Sequence, residues 1–521
     1  MHVRDACAHQ PIAYCALRSP FPQHDTTMPT NLMTPTPWHT RFAPSPTGTM
    51  HLGNARTAIL NWLMARKHQG SFSVRLEDTD RERSTFASEA SILSSLAWMQ
   101  LEPDHPVVRQ STRLERYQNM ARALMDKGLA YPCFCTEAEL QKDREMAASK
   151  GLPPRYTGKC STLSPEEIHK KMEQGHPYTI RFRVDQNIPG IEFTDLIKGL
   201  MNIPIQAFGD FVILRSNGWP SYNFAVVIDD QDMGITLVLR GEDHLTNTAR
   251  QILLYKALDM VPPRFAHHGL LVDTNQHKLS KRTGAKSIPE LMRAGIHPLA
   301  LVHYLAGLSG AVKGKHIVGS LDELVERFNP RRLGRGNAVF QMQELEQLSR
   351  TYWHKLDTEQ LLPHLEELAS LGAPWHNLSA QQQKALIATV QPNANCGHDF
   401  APLLTPLLRL QACYDPEAIE LVQRQPNGHI IRTFLELVLD FTALSGHPAD
   451  TPLPLDEIGR ILKETSTRAQ VTGKELYLPL RMGLMGTSQG PEIKQLFTVL
   501  TCEQIIRRMQ DACVLAGIAR D

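Results

Sequence analysis

The sequence predicts a multidomain chain, α/β in its first part and all-α in its second, on three observations. Its 521 residues exceed what a single hydrophobic core organises. Up to about residue 285, short apolar runs repeatedly end in glycine or dense charge, as strands of an open, doubly wound sheet do. After Ser287 the apolar residues fall into helix-length segments separated by turns rich in Pro, Gly and Asn.

Composition sets the class. At 42% hydrophobic and 21% charged residues the chain reads as soluble and globular, so those runs are parts of packed domains. A formal charge of +1 neither demands nor excludes nucleic acid, because 55 basic and 54 acidic residues can be sorted onto separate surfaces. The nine cysteines are irregularly spaced, with no signal peptide and no membrane-length apolar run, so a reducing cytoplasm without disulfides is expected, and no membrane partner. Residues 1–38 are rich in Pro, His, Thr and Met without periodicity. They read as a disordered extension, or as sequence upstream of a start at Met28 or Met33.

Organised structure begins near Thr40. Arg41-Phe-Ala-Pro-Ser-Pro-Thr-Gly48 reads as a strand and a Pro/Gly turn, and the apolar segment 57–62 as the helix that follows. Gly48 and Gly53 let backbone approach a ligand closely, the first helical turn offers unpaired N–H groups to phosphate, and His51 adds a side-chain donor. By itself a His-x-Gly is more often a surface turn. The next element adds weight: Phe72-Ser-Val-Arg-Leu-Glu-Asp-Thr-Asp-Arg81 reads as a strand ending in charge, where open α/β sheets place ligands. Three more strands are predicted at 211–214, 222–228 and 235–239, the last running into Arg240-Gly-Glu-Asp-His244. Gly269-Leu-Leu-Val-Asp273 then leads into His277-Lys-Leu-Ser-Lys-Arg282. Three cations within five residues suit a mobile clamp over a triphosphate, and a solvated basic loop is the plain alternative.

These segments, with Tyr222-Asn-Phe-Ala-Val-Val227, stand in order along the chain and together resemble the class I glutamyl-tRNA synthetases of bacterial type. Each motif alone is weak, but five in order are specific. The resemblance is dense over residues 40–330 and thinner beyond. It implies a Rossmann-like doubly wound catalytic domain at 39–115 and 211–285, interrupted at 116–210 by an α+β insertion that holds the tRNA acceptor end. A stem-contact region at 286–360 and helical anticodon-binding domains at 361–445 and 446–521 would follow.

The resemblance also implies roles. Arg41 and Arg240 would bind the side-chain carboxylate of glutamate, with Tyr222, Asn223 and Ala43 beside them; bidentate guanidinium pairing separates glutamate from neutral glutamine. Glu77 would meet the α-ammonium, with Ser45 alongside. His51, Gly53, Glu242 and Ser280 would contact ATP, and Lys278 and Lys281 would bracket its phosphates. The implied reaction is attack of the glutamate α-carboxylate on the α-phosphorus of ATP, with Mg²⁺, followed by transfer from the adenylate to tRNA. The family further implies a monomer.

In the insertion, Tyr131-Pro-Cys133-Phe-Cys135 is followed by Tyr156 and Cys160. Three thiols brought together are soft ligands for tetrahedral zinc. Related zinc-bearing synthetases often place a histidine two residues after the last cysteine, where this chain has Thr162. Tyr156 then stands as the fourth ligand, or there is no metal and the cysteines are merely buried.

Helices are predicted at 298–308, 321–327, 343–356, 381–389, 400–410, 431–443 and 454–464. Two stretches depart from the family pattern: Phe340-Gln-Met-Gln-Glu-Leu345 replaces an aspartate-rich junction, and residues 390–396 lack the basic residues of an anticodon-facing helix. They are read either as surface drift or as altered tRNA choice. A glutaminyl-tRNA synthetase would share the nucleotide motifs but not the Arg41–Arg240 pair with a helical C-terminal half. A glutamyl-queuosine synthetase would resemble the catalytic half alone, and a non-catalytic RNA-binding regulator would be expected to lose the charged cluster that this sequence keeps.

Overall fold

The architecture is taken from a computed structural model, in which residues 37–149, 151, 155–279, 286–312 and 316–518 are described. The extension expected at 1–38 therefore lies outside the described residues up to residue 36, as do Ser280, Lys281 and Arg282 of the basic loop.

The strands in chain order are β1 (Thr40–Phe42), β2 (Phe72–Leu76), β3 (Val108–Arg109), β4 (Ala130–Cys133), β5 (Thr179–Phe182), β6 (Gly190–Asp195), β7 (Gly199–Pro204), β8 (Phe211–Leu214), β9 (Leu237–Gly241), β10 (Arg264–His268), β11 (Leu271–Val272) and β12 (Ala338–Val339). β1, β2 and β3 form a parallel sheet, and β9, β10 and β6 run parallel to one another with β7 closing a hairpin on β6. The amides of Thr236 and Leu237 donate to the His39 carbonyl, which lays β9 alongside β1. The crossovers are helical, as a parallel sheet requires. A separate antiparallel sheet, β4-β5-β8, belongs to the inserted region.

The first helix, α1 (Leu52–Lys67), is buried almost all round because it packs on β1 and β9 on one side and on a later helix, Pro298–Gly307, on the other. The amide of its buried Asn61 donates to the carbonyls of Thr57 and Leu239, which ties the helix to β9. The segment 222–228, expected as a strand, is instead the start of an α-helix, Tyr222–Asp232. Residues 224–230 are all buried, so no polar face marks the helical period, and a short all-apolar run does not distinguish helix from strand.

Beyond Ser287 the chain is almost entirely helical, and each of the seven predicted helices is present. The predicted segments 431–443 and 454–464 are parts of longer helices, Gln425–Ser445 and Leu455–Ala469. The helices Lys474–Met485 and Cys502–Leu515 went unread; the first contains Pro479, which masks a helical pattern in sequence. One apolar cluster takes in residues from Trp38 to Leu101 and from Ile197 to Cys513, and a second spans the inserted region, the helix at 222–232, the helix at 245–257 and one face of β9 and β10. Among the described residues no helix is long and apolar enough to cross a membrane.

Candidate active site

A cleft opens where β1, α1, β9 and the segment after β11 meet, lined by Arg41, Ala43, His51, Gly53, Tyr222, Arg240 and Lys278 among others. Beneath it lies a buried network of charged side chains. Arg41, on β1, is 3% exposed and donates through Nε to Asp230 at 3.0 Å. Arg75, on β2, is fully buried and reaches Asp230 at 2.5 Å, Glu77 at 3.2 Å and Asp229 at 3.7 Å. Asp229 also accepts from Gln110, Arg113 and Tyr117. Burial raises the Glu77 carboxyl to about 7 against the opposing pull of Arg75 and Arg41.

Arg240, on β9, is different. Its hydrogen bonds among the described residues go to neutral groups: His267 at 3.1 Å, Tyr222 at 3.4 Å, Thr248 at 2.7 Å and Gln251 at 2.8 Å. Burial, and then the like charge of Arg41, lowers its guanidinium from the usual arginine value. Two guanidinium groups thus repel one another on one cleft wall, an arrangement that an entering carboxylate relieves.

At the cleft mouth, His51 caps α1, its Nδ1 accepting from the Asn54 amide at 3.2 Å. A Cβ at Gly53 would stand 3.2 Å from the His51 ring, so glycine there lets the imidazole lie against the helix start. Lys278 pairs with Asp243 at 3.0 Å while remaining largely exposed. Within the cleft lining, burial first pushes His268 down to about 3 and His244 to about 4, so both are neutral at physiological pH.

Asn223 accepts from Gln251, which in turn accepts from Arg240. Glu77 stands behind Arg41 at the end of β2, its amide held by the Pro44 carbonyl. Glu242 is ion-paired with Lys198, and Ser45 is exposed on the turn after β1. Ser280 and Lys281 lie outside the described residues.

In the inserted region the three thiols do meet: the Sγ atoms of Cys133, Cys135 and Cys160 lie within 4.8 Å of one another. The Tyr156 hydroxyl is 3.4 Å from Cys133 Sγ and 3.6 Å from Cys135 Sγ, and accepts from the Cys160 amide at 2.8 Å. The Arg181 guanidinium lies over the Tyr156 ring at 4.0 Å, adding positive charge beside the sulfurs.

Comparison with known proteins decides the family. The model of tRNA synthetases class I (E and Q), catalytic domain, matches residues 38–347, and that of an anticodon binding domain matches 356–513. Glutamate–tRNA ligase 2 of Syntrophus aciditrophicus is 37% identical over 486 residues, covering 92% of this chain and 98% of that protein. The chain belongs to the bacterial-type class I glutamyl-tRNA synthetases. A second relative, the glutamate–tRNA ligase of Aquifex aeolicus, is 38% identical over 477 residues, 90% of this chain and 97% of its own length. The fold agrees with a solved glutamate tRNA ligase from Elizabethkingia meningosepticum in complex with its amino acid, at a TM-score of 0.74, 26% identity and coverage of 92% and 99% of the two chains.

Several residues of this synthetase that shape the cleft were not found in the sequence. Asp229 and Asp230 anchor Arg41 and Arg75, and two adjacent acids closing an apolar run were the available signal. Thr248, Gln251 and His267, which hold Arg240, come from a helix and a strand with nothing in their spacing to mark them.

Proposed function

We propose that the cleft activates L-glutamate with MgATP and transfers it to tRNA, releasing pyrophosphate and then AMP. The observation that carries this reading is the pair of buried guanidinium groups, Arg41 and Arg240, on one cleft wall, of which, among the described residues, the first alone is tied to a carboxylate. Such a wall holds the side-chain carboxylate of glutamate and gives the amide of glutamine no charge to neutralise. Glu77 receives the α-ammonium. The α-carboxylate oxygen attacks the α-phosphorus of ATP, forming the mixed anhydride and breaking the bond to pyrophosphate. A terminal ribose hydroxyl of tRNA then attacks the anhydride carbonyl and AMP leaves. Lys278 and Lys281 neutralise charge growing on the phosphate oxygens, and no covalent enzyme intermediate is needed.

ATP–pyrophosphate exchange, run with glutamate and with glutamine in the presence and absence of tRNA, tests this. Exchange with glutamate and tRNA but not with glutamine is expected; no exchange with glutamate under any condition would contradict it. Lys281→Ala is expected to keep weak amino acid binding and lose most adenylate formation, and exchange at the normal rate would remove Lys281 from this role. The acceptor is tRNA for glutamate, tRNA for glutamine or both, and charging of purified individual species with labelled glutamate reads the choice directly.

The cysteine cluster fits a structural zinc site in which Cys133, Cys135, Cys160 and the Tyr156 hydroxyl are the ligands, the metal stapling a small module that positions the acceptor end. About one zinc per chain in washed protein is expected; near-zero zinc would refute the site. We further infer that the enzyme works as a monomer in the reducing cytoplasm, where its cysteines form no disulfides.

A further inference from the structure

Behind the cleft, three neighbouring strands carry a row of buried polar side chains. Asp195 ends β6, His267 lies on β10 beside it, and Arg240 on β9 is the direct register partner of His267. The three are 1%, 0% and 5% exposed. Asp195 Oδ2 is 2.6 Å from His267 Nδ1, and His267 Nε2 is 3.1 Å from Arg240 Nε.

His267 Nε2 faces the Arg240 Nε–H and, at 3.0 Å, the Thr248 hydroxyl, which itself accepts from Arg240. An arginine Nε only donates, so Nε2 accepts, and the neutral ring then carries its proton on Nδ1, where Asp195 accepts the hydrogen bond. Burial, first, and the Arg240 charge keep the ring from taking a second proton. The other carboxylate oxygen of Asp195 accepts the backbone N–H groups of Ile197, Lys198 and His267 at 2.9, 2.8 and 3.2 Å, so Asp195 cannot turn away. We propose that Asp195 sets the tautomer of His267, and that His267 in turn holds the Arg240 guanidinium in the orientation that grips the glutamate side chain, making both of them positioning residues for amino acid selection. The proposal rests on Arg240 binding that side-chain carboxylate.

Asp195→Asn separates this role from a packing role. The asparagine oxygen stays with the three backbone N–H groups, which turns its NH₂ toward Nδ1. The ring must then move its proton to Nε2, where it faces the Arg240 N–H and drives the guanidinium off. The expected result is a rise of about tenfold in the KM for glutamate, with the KM for ATP within about twofold of the native value. In a His267→Met background no ring or amide links the two groups, leaving neither a tautomer nor an amide flip to set, so adding Asp195→Asn is expected to change the glutamate KM by less than about twofold.

All kinetics are read by pyrophosphate exchange at saturating tRNA, and histidine-selective ¹⁵N NMR reads the proton position in the native enzyme without any substitution. Nδ1–H on His267 is required; Nε2–H overturns the proposal even if Asp195→Asn proves unable to fold. A folded Asp195→Asn enzyme with an unchanged glutamate KM also overturns it, as does an equal Asp195→Asn effect in both backgrounds. Arg240→Lys serves as the separate control: an unchanged glutamate KM there contradicts the reading of the cleft itself, whereas a raised KM with a silent Asp195→Asn rejects the relay alone.

Discussion

Arg75 is divided among three carboxylates, Glu77, Asp229 and Asp230, and that shortage of positive charge governs the chemistry of single residues here. Asp230 is favoured by two arginines and its carboxyl stays below the usual range despite burial, while burial wins at Glu77 and lifts it to about 7. A carboxyl with a raised value is ionised only above it, and only the ionised form holds an ammonium. The KM for glutamate is therefore expected to rise about tenfold as pH falls from about 8 to 6, and Glu77→Gln to give weak binding with no such dependence. A flat profile in the native enzyme would contradict this. Glu77 and Arg240 stood out in the sequence as charge at the ends of strands, and Arg41 only through the family resemblance. The groups that tune them, Asp230 and His267, were not legible, because nothing in their local sequence names the partners that the tertiary fold brings to them.

The helix at 222–232 shows how elements build the site. Over eight residues a helix advances about 12 Å where a strand would advance about 26 Å, so Tyr222 and Asp230 can serve one cleft from the two ends of the same element. Reading that run as a strand lost this geometry, since burial on every face erased its period. The junction of β11 and β12 depends on a closer approach still. A Cβ at Gly269 would stand 2.0 Å from the carbonyl oxygen of Gly336, whereas one at Gly48 would meet nothing within 4 Å. Gly269→Ala is expected to cost on the order of 2–4 kcal/mol, and Gly48→Ala less than about 0.5 kcal/mol, in denaturant melts of the two variants. Equal stabilities would mean that the β11–β12 contact is looser than described.

Across the described residues, one apolar cluster joins the parallel sheet of β1 and β2 to the C-terminal helices and includes Trp353. Its indole N–H donates to the Gly295 carbonyl at 3.1 Å, its ring meets Phe400, and Gly397 packs against it. Trp353→Ala is expected to lose about 3–5 kcal/mol and to lower the unfolding midpoint of the chain followed by circular dichroism; an unchanged midpoint would contradict its part in that cluster. The order of α/β and helical regions was legible because motifs and turn residues mark it. The junction at 340–345 was legible only as a departure, and its structural use, Gln341 and Glu344 meeting the Tyr304 hydroxyl, emerges only once that helix docks. The central claim is that fixed positive charge in one cleft selects glutamate, and a crystal structure with a non-hydrolysable glutamyl-adenylate analogue tests it most directly. The side-chain carboxylate is predicted within hydrogen-bonding distance of both Arg41 and Arg240, with the ammonium at Glu77; an analogue bound with that carboxylate away from both arginines would contradict the account.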